Sequence, residues 1–599
     1  MISPMTRYNF VLLNGEQDAL LQMLQGLGLV DITRSVKPVD EESSRLMEKV
    51  EELDTLIHKL KAFVPESADA SKAAGNEDKP LKEAVGEAFA RYASVQEERK
   101  EAEKTLKELR PWGDFSQEAI ATLKEAGIPL HFHRLSAKQF QSAWAADYAL
   151  SVMDGEDKGT VYFVVAGPDG LPGEISAPEN TLSQAQARAN ALDTEISALE
   201  SRLSALQPRL PELEALRADA FQQLDLYLAG AAAASAADNL VVTFEGFAPK
   251  EKEAEVTAAL ENADILYLKE DAKVEENPPI AFKNNAFVKM FEMMTDMYGR
   301  PAYNGFDPTP FISVFFMLFF AFCMGDCGYG LVLVLAGLMM KKADGMKKLA
   351  PLVTTLGVAT VVVGFLFHTF FSIDIAEWDI FAPIKGVFLP SKIMGYDGTM
   401  VLSLLVGVVH ICLALLVKTY QKTKNNGFLN ALGTWGWTLL IVGGVIVSGV
   451  YFAGVLSAPV TKWVVIILGI VSALGIFLLN DLHRNPLKNI GSGLWETYNT
   501  VTGLLGDVLS YLRLYALGLA GAMLGLAFNK IGMMVLGDGS NAVLWIPFAL
   551  IVLVGHVLNI AMCALGAFVH PLRLNFLEFF KNSGYEAVGR KYNPLTKNN

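Results

Sequence analysis

Two arginines stand out because they lie in the most apolar part of the chain. Arg513 is at the middle of the stretch DVLSYLRLYALGLAG, and Arg573 lies within FVHPLRLNFLEFF. A guanidinium stays charged even in an apolar site, and a charge at bilayer depth costs about 2.5–3.5 kcal/mol on insertion scales. Ionisable residues inside a membrane usually face a bundle interior or an aqueous cavity and mark ion pathways. The chemistry that these arginines indicate is therefore ion transfer.

Steps of three and four residues from Arg513 trace one helix face. Its members are small or polar: Asn499, Gly503, Gly506, Ser510, Arg513, Ala516, Ala520 and Leu524. Small residues let a neighbouring helix approach closely, and a helix that faces only lipid needs no such face. Asp507 precedes Arg513 by six residues and lies off this face, so it is not an obvious ion-pair partner. A structural pair between Arg513 and some other carboxylate is the alternative.

The last apolar segment has a similar stripe. It contains Gly555, His556, Asn559, Cys563, Gly566, His570 and Arg573, with Glu578 one turn beyond. Simpler explanations exist for single members. Arg573, near the end of the segment, can extend its side chain to the membrane surface, and either histidine alone is more often an interhelical hydrogen-bond donor. Asp326, in an earlier apolar segment, is best interpreted as a turn or helix-cap residue.

The composition changes sharply near residue 307. The 599 residues are 52% hydrophobic with a net charge of −14, but after Pro308 the apolar residues form runs of about 20, enough to span a bilayer. We predict a soluble domain over 1–307 and a transmembrane domain over 308–599. No signal peptide is recognisable at Met1, so the first domain should stay in the cytoplasm. The acidic balance argues against a nucleic acid partner, and the four cysteines, all in apolar segments, suggest no disulfide framework and no zinc site.

In the first domain, strand-like runs alternate with helical segments. The runs are Arg7–Leu13, Pro129–Leu135, Gly159–Gly167, Leu240–Pro249 and Ala263–Glu270. Heptads near 46–64, 81–109 and 182–228 predict long helices with one apolar stripe, which Pro208 and Pro211 should interrupt. We predict α/β modules joined by a long antiparallel coiled-coil stalk, with an ordinary helical bundle as the alternative. The sequence contains no P-loop and no convincing nucleophile–base triad, so we expect a scaffold without a cofactor.

Hydropathy identifies seven apolar segments in the second domain. They cover about 311–340, 349–371, 400–417, 428–453, 460–479, 499–535 and 543–569. The positive-inside rule favours eight crossings, because basic loops alternate with acidic or uncharged ones only if Phe311–Met340 forms a hairpin that turns at Gly325–Gly330. The basic segments are Lys341–Lys348, Lys418–Asn426, Asp481–Lys488 and the tail Gly589–Asn599; the others are Ser372–Phe381, Gly454–Pro459 and Gly537–Asn541. We predict an all-α membrane domain of about eight helices, two of them long and C-terminal, with a cytoplasmic N-terminal half and C-terminus.

These residues carry a family resemblance. SYLRLYALGLA followed by FVHPLRLNFLEFF resembles the two signature helices of the membrane a subunit, or subunit I, of V/A-type rotary ATPases. The stretch FVKMFEMMTDMYGRPAYNGFDPTPF resembles the family's entry to the membrane, and FFAFCMGDCGYG resembles its first hairpin. The resemblance covers most of the chain, and the two arginine motifs together are highly specific.

The resemblance implies a stator subunit that hydrolyses nothing itself, in the plasma membrane of a prokaryote. Its soluble half would be a collar arm that anchors peripheral stalk subunits of the E/G type, and a central-stalk subunit of the C/d type and membrane lipids are further expected partners. Its membrane half would lie beside a rotating ring of lipophilic c/K-type subunits, each with a buried carboxylate. Two half-channels would lead H⁺ or Na⁺ to and from the ring, with Arg513 and Arg573 between them.

A fixed guanidinium favours the ionised form of a ring carboxylate, so it displaces the bound ion, and its charge blocks a direct leak. Arginine suits this role better than lysine because it stays charged in an apolar site. The candidate residues of the half-channel lining are Ser510, His570, Glu578, Asn559, His556, Asp507 and Glu496. The chain has Cys563 where eukaryotic relatives carry glutamate and Gly521 where they carry histidine, so the resemblance does not assign the ion.

Two other classes of function are compatible with parts of the sequence. A secondary ion-coupled transporter with a cytoplasmic coiled-coil domain predicts ion or solute flux through the purified chain alone, and its fold is often built from inverted repeats. We find no such repeat in the sequence. A membrane-anchored scaffold has no need for two arginines in apolar helices. Co-purification with ATPase head subunits and an oligomeric ring separates these three hypotheses.

Overall fold

A computed structural model describes most of the chain. The described residues are 1–35, 37–64, 80–141, 143–153, 159–168, 170–178, 180–236, 240–377, 380, 383, 386, 388–390, 392–479, 486–537 and 541–597. Nearly all of the Pro65–Pro80 gap, most of the predicted loops Asp481–Lys488 and Gly537–Asn541, and parts of Ser372–Phe381 and of the C-terminal tail lie outside these ranges.

The chain divides into two compact units. The first consists of Met1–Leu12, Leu29–Ile32 and Thr243–Pro594; the second consists of Leu13–Gly28, Thr33–Val242 and Leu595–Asn599. The domain boundary near residue 307 stays a prediction.

The strands and helices alternate in the N-terminal half, and long helices dominate the C-terminal half. The strands are β1 (Met5–Leu13), β2 (Asp31–Ile32), β3 (Leu130–Ser136), β4 (Ala149–Met153), β5 (Thr160–Ala166), β6 (Glu174–Ile175), β7 (Ala234–Ala236), β8 (Val241–Pro249), β9 (Leu266–Asp271), β10 (Thr369–Phe370), β11 (Ile373–Asp374), β12 (Lys392–Ile393) and β13 (Tyr396–Asp397). The helices are α1 (Gln17–Leu27), α2 (Glu41–Ala62), α3 (Leu81–Leu109), α4 (Gln117–Glu125), α5 (Trp144–Asp147), α6 (Leu182–Leu206), α7 (Leu210–Ala231), α8 (Glu253–Asn262), α9 (Ala286–Lys289), α10 (Glu292–Tyr298), α11 (Thr309–Met324), α12 (Cys327–Met340), α13 (Ala350–Leu366), α14 (Gly398–Asn426), α15 (Leu432–Phe452), α16 (Ala458–Phe477), α17 (Pro486–Ser510), α18 (Leu512–Leu536), α19 (Trp545–Arg573) and α20 (Phe580–Ser583), with a π-helix over Leu574–Phe579.

Two helix pairs form the long part of the second unit. α2 packs against α7, and α3 packs against α6. Ion pairs show that both pairs are antiparallel, because the residue number rises on one helix while it falls on the other. Asp54 pairs with Arg217 and Lys61 with Glu214. In the second pair of helices, Arg91 pairs with Glu195 and Arg99 with Asp193. The break expected at Pro208 is present, since α6 ends and a 3₁₀ turn precedes α7. The coiled-coil description of these pairs stays a prediction.

Small α/β arrangements contain all five strands that the sequence predicts. In the second unit, β3 and β5 pair within an antiparallel sheet of order β4-β5-β3-β6. In the first unit, β1, β8 and β9 belong to a sheet that follows the order β2-β8-β1-β9. Aromatic side chains pack on this sheet, and Tyr8, Phe10, Phe244 and Phe247 are at most 2% exposed. Alternation of buried and half-buried residues along β1 places Tyr8 and Phe10 on one side.

The segment after the last helix returns to this sheet. The Ile280 amide donates to the carbonyl of Arg590 at 2.7 Å. The Tyr592 hydroxyl donates to the carbonyl of Leu29 at 2.6 Å. The segment after the last helix therefore packs against residues that flank the N-terminal sheet.

Among the described residues, five helical stretches are long and apolar enough to cross a membrane. They are Gly398–Asn426, Leu429–Phe452, Ala458–Phe477, Leu487–Leu536 and Ala542–Ser583. Three shorter apolar helices, α11 to α13, have 16, 14 and 17 residues. At 1.5 Å per residue, α11 and α12 are about 24 Å and 21 Å long, less than the hydrocarbon thickness of about 30 Å. The count of eight crossings stays a prediction.

The predicted hairpin turn joins α11 to α12. Gly325 adopts a left-handed conformation at φ 54°, which ends α11. Asp326 then caps α12, because its carboxylate accepts a hydrogen bond from the Tyr329 amide at 3.1 Å. The same carboxylate also accepts from the amides of Phe371 and Ser372 at 2.9 and 2.6 Å. The cap interpretation of Asp326 is confirmed, and the residue additionally fixes the loop after α13.

Glycines bring α12 and α13 into close contact. Gly330 and Gly337 on α12 face Gly357 and Thr354 on α13. A Cβ atom at Gly330, Gly337 or Gly357 would come within 2.8 Å of a backbone atom of the partner helix. Small residues are the usual means by which membrane helices approach one another.

Candidate functional site

Arg513 lies directly after a break in a long helix. α17 and α18 meet at Tyr511, whose amide donates to the carbonyl of Val508 at 3.2 Å, a three-residue bond instead of a four-residue one. Arg513 is half-buried, and its Nη1 atom is enclosed without a hydrogen-bond partner. The described part of the chain supplies no acidic partner for this guanidinium.

Arg573 also lies beside an irregularity. Pro571, two residues earlier in α19, lacks the amide that a regular helix uses. A π-helix begins at Leu574, directly after Arg573, and such segments occur often at functional sites. The Arg573 side chain is exposed and, within the described residues, has no ion pair. His570 lies within the field of both arginines, so α18 and α19 bring the three side chains into one region.

Part of the small-residue face of the first arginine helix is open. Gly506, Ala516, Ala520 and Leu524 are all exposed. An added Cβ at Gly506 would meet no atom within 4 Å. No described segment of this chain covers these four positions, so this part of the face is available to another molecule.

A cavity of about 280 Å³, lined by both charged and apolar residues, lies on one side of the arginines. Its lining includes two of the predicted residues, Glu496 and Asp507, together with the cationic residues Lys418, Lys422 and Lys581. The Asp507 carboxylate accepts a hydrogen bond from Asn582 Nδ2 at 2.8 Å and lies 3.4 Å from Lys581 Nζ.

Glu578 lies next to this cavity, inside the π-helix. Its side chain is buried, and one carboxylate oxygen has no hydrogen-bond partner. The Ser510 hydroxyl lies beside this carboxylate, and the backbone carbonyl of Glu578 accepts from Asn582, the residue that also binds Asp507. Four of the predicted lining residues (Glu496, Asp507, Ser510 and Glu578) are thus brought together.

A buried hydrogen-bond network lies on the other side. The Tyr329 hydroxyl is 2.7 Å from Nδ1 of His556 and accepts from Asn559 Nδ2 at 2.8 Å. His556 Nε2 lies 2.9 Å from Asn529 Oδ1, and Asn529 donates to the carbonyl of Phe371. This network joins α12, α18, α19 and the loop after α13, so His556 and Asn559 are enclosed within the chain.

The arginines separate the two polar groups on both long helices. Asp507 precedes Arg513 while Asn529 follows it, and His556 precedes Arg573 while Glu578 follows it. α18 and α19 run antiparallel, as the close approach of residue 521 to 563 and of 525 to 559 requires. Each polar group therefore draws on both helices, and the arginine region lies between the groups.

Two positions at which the family resemblance in the sequence fails, Gly521 and Cys563, contact each other. A Cβ atom at Gly521 would lie 2.6 Å from Cys563 Sγ. The carbonyl of Gly521 also accepts a hydrogen bond from Asn559. A glycine and a cysteine here allow α18 and α19 to approach closely, and larger polar side chains would need a wider separation.

Several residues of the site were not predicted from the sequence. Tyr329, Asn529, Lys581 and Asn582 are joined to predicted residues by hydrogen bonds that cross between helices far apart in the chain. Only the polar character of Asn529 in an apolar run signals such a role. Within the described residues, no group of three or more His, Cys, Asp or Glu side chains is arranged to hold a metal ion.

Comparison with known proteins gives consistent matches. Residues 174–375 match the model of the V-type ATPase 116kDa subunit family. The A-type ATP synthase subunit I of Methanocaldococcus jannaschii is 30% identical over 474 residues, which cover 72% of this chain and 65% of that relative. The chain is a relative of subunit I of the V/A-type ATPases. V-type ATP synthase subunit I 1 of Treponema pallidum is 25% identical over 646 residues, with 99% of this chain and 100% of the relative covered.

The subunit I relatives are covered to different extents. The chain spans a little under two thirds of the M. jannaschii protein but the full length of the T. pallidum one. A solved structure, the cytoplasmic N-terminal domain of a subunit I described as a homolog of subunit a of V-ATPase, matches 45% of this chain and 100% of its own with 16% identity and a TM-score of 0.20. Together with the five apolar helices, the subunit I matches indicate a multi-pass membrane protein.

Proposed function

We propose that this chain is the stator membrane subunit of a V/A-type rotary ATPase. It moves H⁺ or Na⁺ between two half-channels and a rotating ring of lipophilic c/K-type subunits, and it hydrolyses no nucleotide itself. The division at residue 307 separates a collar arm, which anchors E/G-type peripheral stalks, from the ion-translocating domain. The complex lies in the plasma membrane of a prokaryote, with the N-terminal half and the C-terminus in the cytoplasm.

One observation carries this proposal. Arg513 has no acidic partner in the described part of the chain, yet Gly506 and Ala516 on the same face are exposed. A half-buried charge without an acidic partner is costly in an apolar region, so its partner is expected to come from outside the chain. A ring carboxylate that passes this face supplies the missing negative charge once per subunit.

The guanidinium acts on the ion through electrostatics. A carboxylate that enters hydrocarbon must be neutralised by a bound ion. Near Arg513 the ionised carboxylate is favoured, so the ion is released, and the fixed positive charge also repels cations that would cross directly. Arg573 extends this positive region across to α19.

In this proposal the two polar groups mark the positions of the half-channels. The cavity lined by Glu496 and Asp507 is also lined by Lys418 and Lys422, at the end of α14 that the positive-inside rule places in the cytoplasm. The enclosed network of Tyr329, His556 and Asn559 marks the opposite side. The central-stalk subunit of C/d type and membrane lipids complete the set of partners.

The test is ATP-driven ion uptake by the purified complex in vesicles. The first step is to show that the chain co-purifies with ATPase head subunits and an oligomeric ring. Arg513→Ala should then abolish uptake while the complex still assembles. Arg513→Lys keeps a positive charge but not the guanidinium geometry. Partial uptake by this variant would therefore show that charge alone suffices.

Lys530→Ala is the matched control. Lys530 is an exposed cation of the same helix, α18, outside both polar groups. It should transport as the unmodified complex does. Normal uptake by Arg513→Ala, or ion flux through this chain purified alone, would contradict the proposal.

A further inference from the structure

His410, on α14, contacts the irregular segment beside each arginine. Its side chain is fully buried. Nδ1 lies 2.9 Å from the hydroxyl of Tyr511, the residue at which α17 gives way to α18. One face of the imidazole stacks on Phe579, with ring centroids 4.8 Å apart and 8° between the planes. Phe579 is the last residue of the π-helix that follows Arg573, so one side chain of a third helix touches both departures from α-helical geometry.

Tyr511 fits against α14 because residue 407 is glycine. A Cβ atom there would lie 2.3 Å from Cγ of the tyrosine ring, far inside normal contact. The ring also packs against Phe319 of α11, with centroids 5.7 Å apart. Tyr511 is fully buried, and a buried hydroxyl needs a hydrogen-bond partner, which His410 provides. The helix break is therefore tied to α14 by one hydrogen bond and a close ring contact.

The conformation at Tyr511 sets the direction of Arg513. The Tyr511 amide donates to Val508 and the Leu514 amide donates to Tyr511, both across three residues, so the chain is wound more tightly here than in an α-helix. A small backbone rotation at this point turns α18 relative to α17. The guanidinium, two residues further on, moves with it.

The same imidazole restricts the second arginine. Phe579 projects from the π-helix into a cluster of rings in which Phe315 lies 4.1 Å from the imidazole of His410 between ring centroids. A π-helix carries one residue more per turn than an α-helix and can shift its register. Stacking on His410 holds the end of this segment in one register. Because the π-helix directly follows Arg573, the position of Arg573 at the end of α19 is restricted as well.

We propose that His410 is a positioning residue for ion translocation, because its hydrogen bond to Tyr511 and its stack on Phe579 hold both arginines in one geometry. It touches neither guanidinium and acts through the two backbone irregularities. The inference rests on the proposed stator function. In complexes whose arginines are misplaced, the positive barrier between the half-channels is incomplete and ions leak without rotation.

The test measures passive ion leak through assembled complexes in vesicles, with rotation stopped by a non-hydrolysable ATP analogue. His410→Phe keeps a planar ring for the stack but removes the hydrogen bond, and Tyr511→Phe removes only the hydroxyl. Each should raise the leak per complex about tenfold, a change that corresponds to about 1.4 kcal/mol. The double variant should leak no more than either single variant, because both remove the same bond. His410→Asn, which keeps an amide near the position of Nδ1, should restore part of the barrier.

Thr419→Val is the matched control. Thr419 lies on the same helix, is equally buried and shares a hydrogen bond with Thr438. If His410 had only a structural role, its variants would lower the yield of assembled complex but leave the leak per complex unchanged. The same result is expected for Thr419→Val. Leak unchanged in Tyr511→Phe, or equally raised in Thr419→Val, overturns the inference. If Arg513→Ala abolishes uptake while these variants stay tight, only this inference fails; if Arg513→Ala transports normally, the proposed function fails.

Discussion

Gly364 lies where α13 crosses the turn that begins α12, and its replacement by alanine should force these two helices apart. An added Cβ would lie 2.2 Å from the Cys327 amide nitrogen and 2.4 Å from the carbonyl carbon of Asp326. Both are backbone atoms, so no side chain can rotate away. To reach ordinary contact at 3.4 Å the backbones must separate by about 1.2 Å. Gaps of about 0.5–1 Å forfeit a quarter to a half of each dispersion contact.

The expected loss of stability is about 1–3 kcal/mol, the range for overpacked cores, and it should be at the upper end because the atoms that clash belong to the backbone. The hydrogen bonds of Asp326 to the loop after α13 should weaken as well. The measurement is the unfolding transition of the purified chain in detergent, followed by circular dichroism as SDS is added to mixed micelles.

Gly444→Ala provides the matched control. Gly444 lies on an apolar membrane helix, α15, where an added Cβ would meet no atom within 4 Å. This substitution should leave stability unchanged or raise it slightly, by up to about 1 kcal/mol, through the higher helix propensity of alanine. If Gly364→Ala is as stable as Gly444→Ala, the close approach of α12 and α13 is refuted.

Two further predictions concern single polar contacts. Tyr329→Phe removes the hydroxyl that joins the His556 imidazole to the Asn559 amide in the buried network. It should lower the free energy of unfolding by about 1–2 kcal/mol in the same assay. Tyr451→Phe, at an exposed position of α15, should leave the free energy of unfolding unchanged. Burial raises the pKa of Asp296, but Arg300 and Lys591 lower it more, so the net pKa lies below its usual value. The stabilisation that this carboxylate gives to the C-terminal tail should be present above pH of about 4 and be lost as the pH falls through the lowered pKa. Amide exchange of residues 584–594, corrected for intrinsic rates, measures this loss. Asp296→Asn should reduce the pH dependence of the protection, and the part that remains comes from Asp31, which pairs with Arg590 and accepts from the Asn593 amide. Equal pH dependence in both proteins would contradict the assignment.

Much of the local structure could be predicted because its signals are local. Short strand-like runs predicted β1 and β8, and the glycine-containing stretch Gly325–Gly330 predicted the turn between α11 and α12. The prolines after α6 predicted its end. These features depend on neighbours within a few residues, so one sequence suffices to recognise them.

The surroundings of the arginines could not be predicted in the same way. The residues next to Tyr511 include no proline or glycine that marks a helix break. Pro571 signals an irregularity near Arg573, but nothing in the composition specifies a π-helix there. Both irregularities are supported by contacts with α14, which is about 100 residues or more away in the chain. The pairing of Asp507 with Asn582 depends equally on the packing of α17 against the last helix.

The sequence by itself was enough to identify the two arginines, the small-residue face beside the first and the apolar segments that carry them. These features follow from residue type and helical spacing. Only the tertiary structure decided which polar groups meet on each side of the arginines and that His410 touches both irregular segments. Those contacts depend on the distances between helices, which glycines at a few crossings set to within an ångström and which no spacing along one helix records.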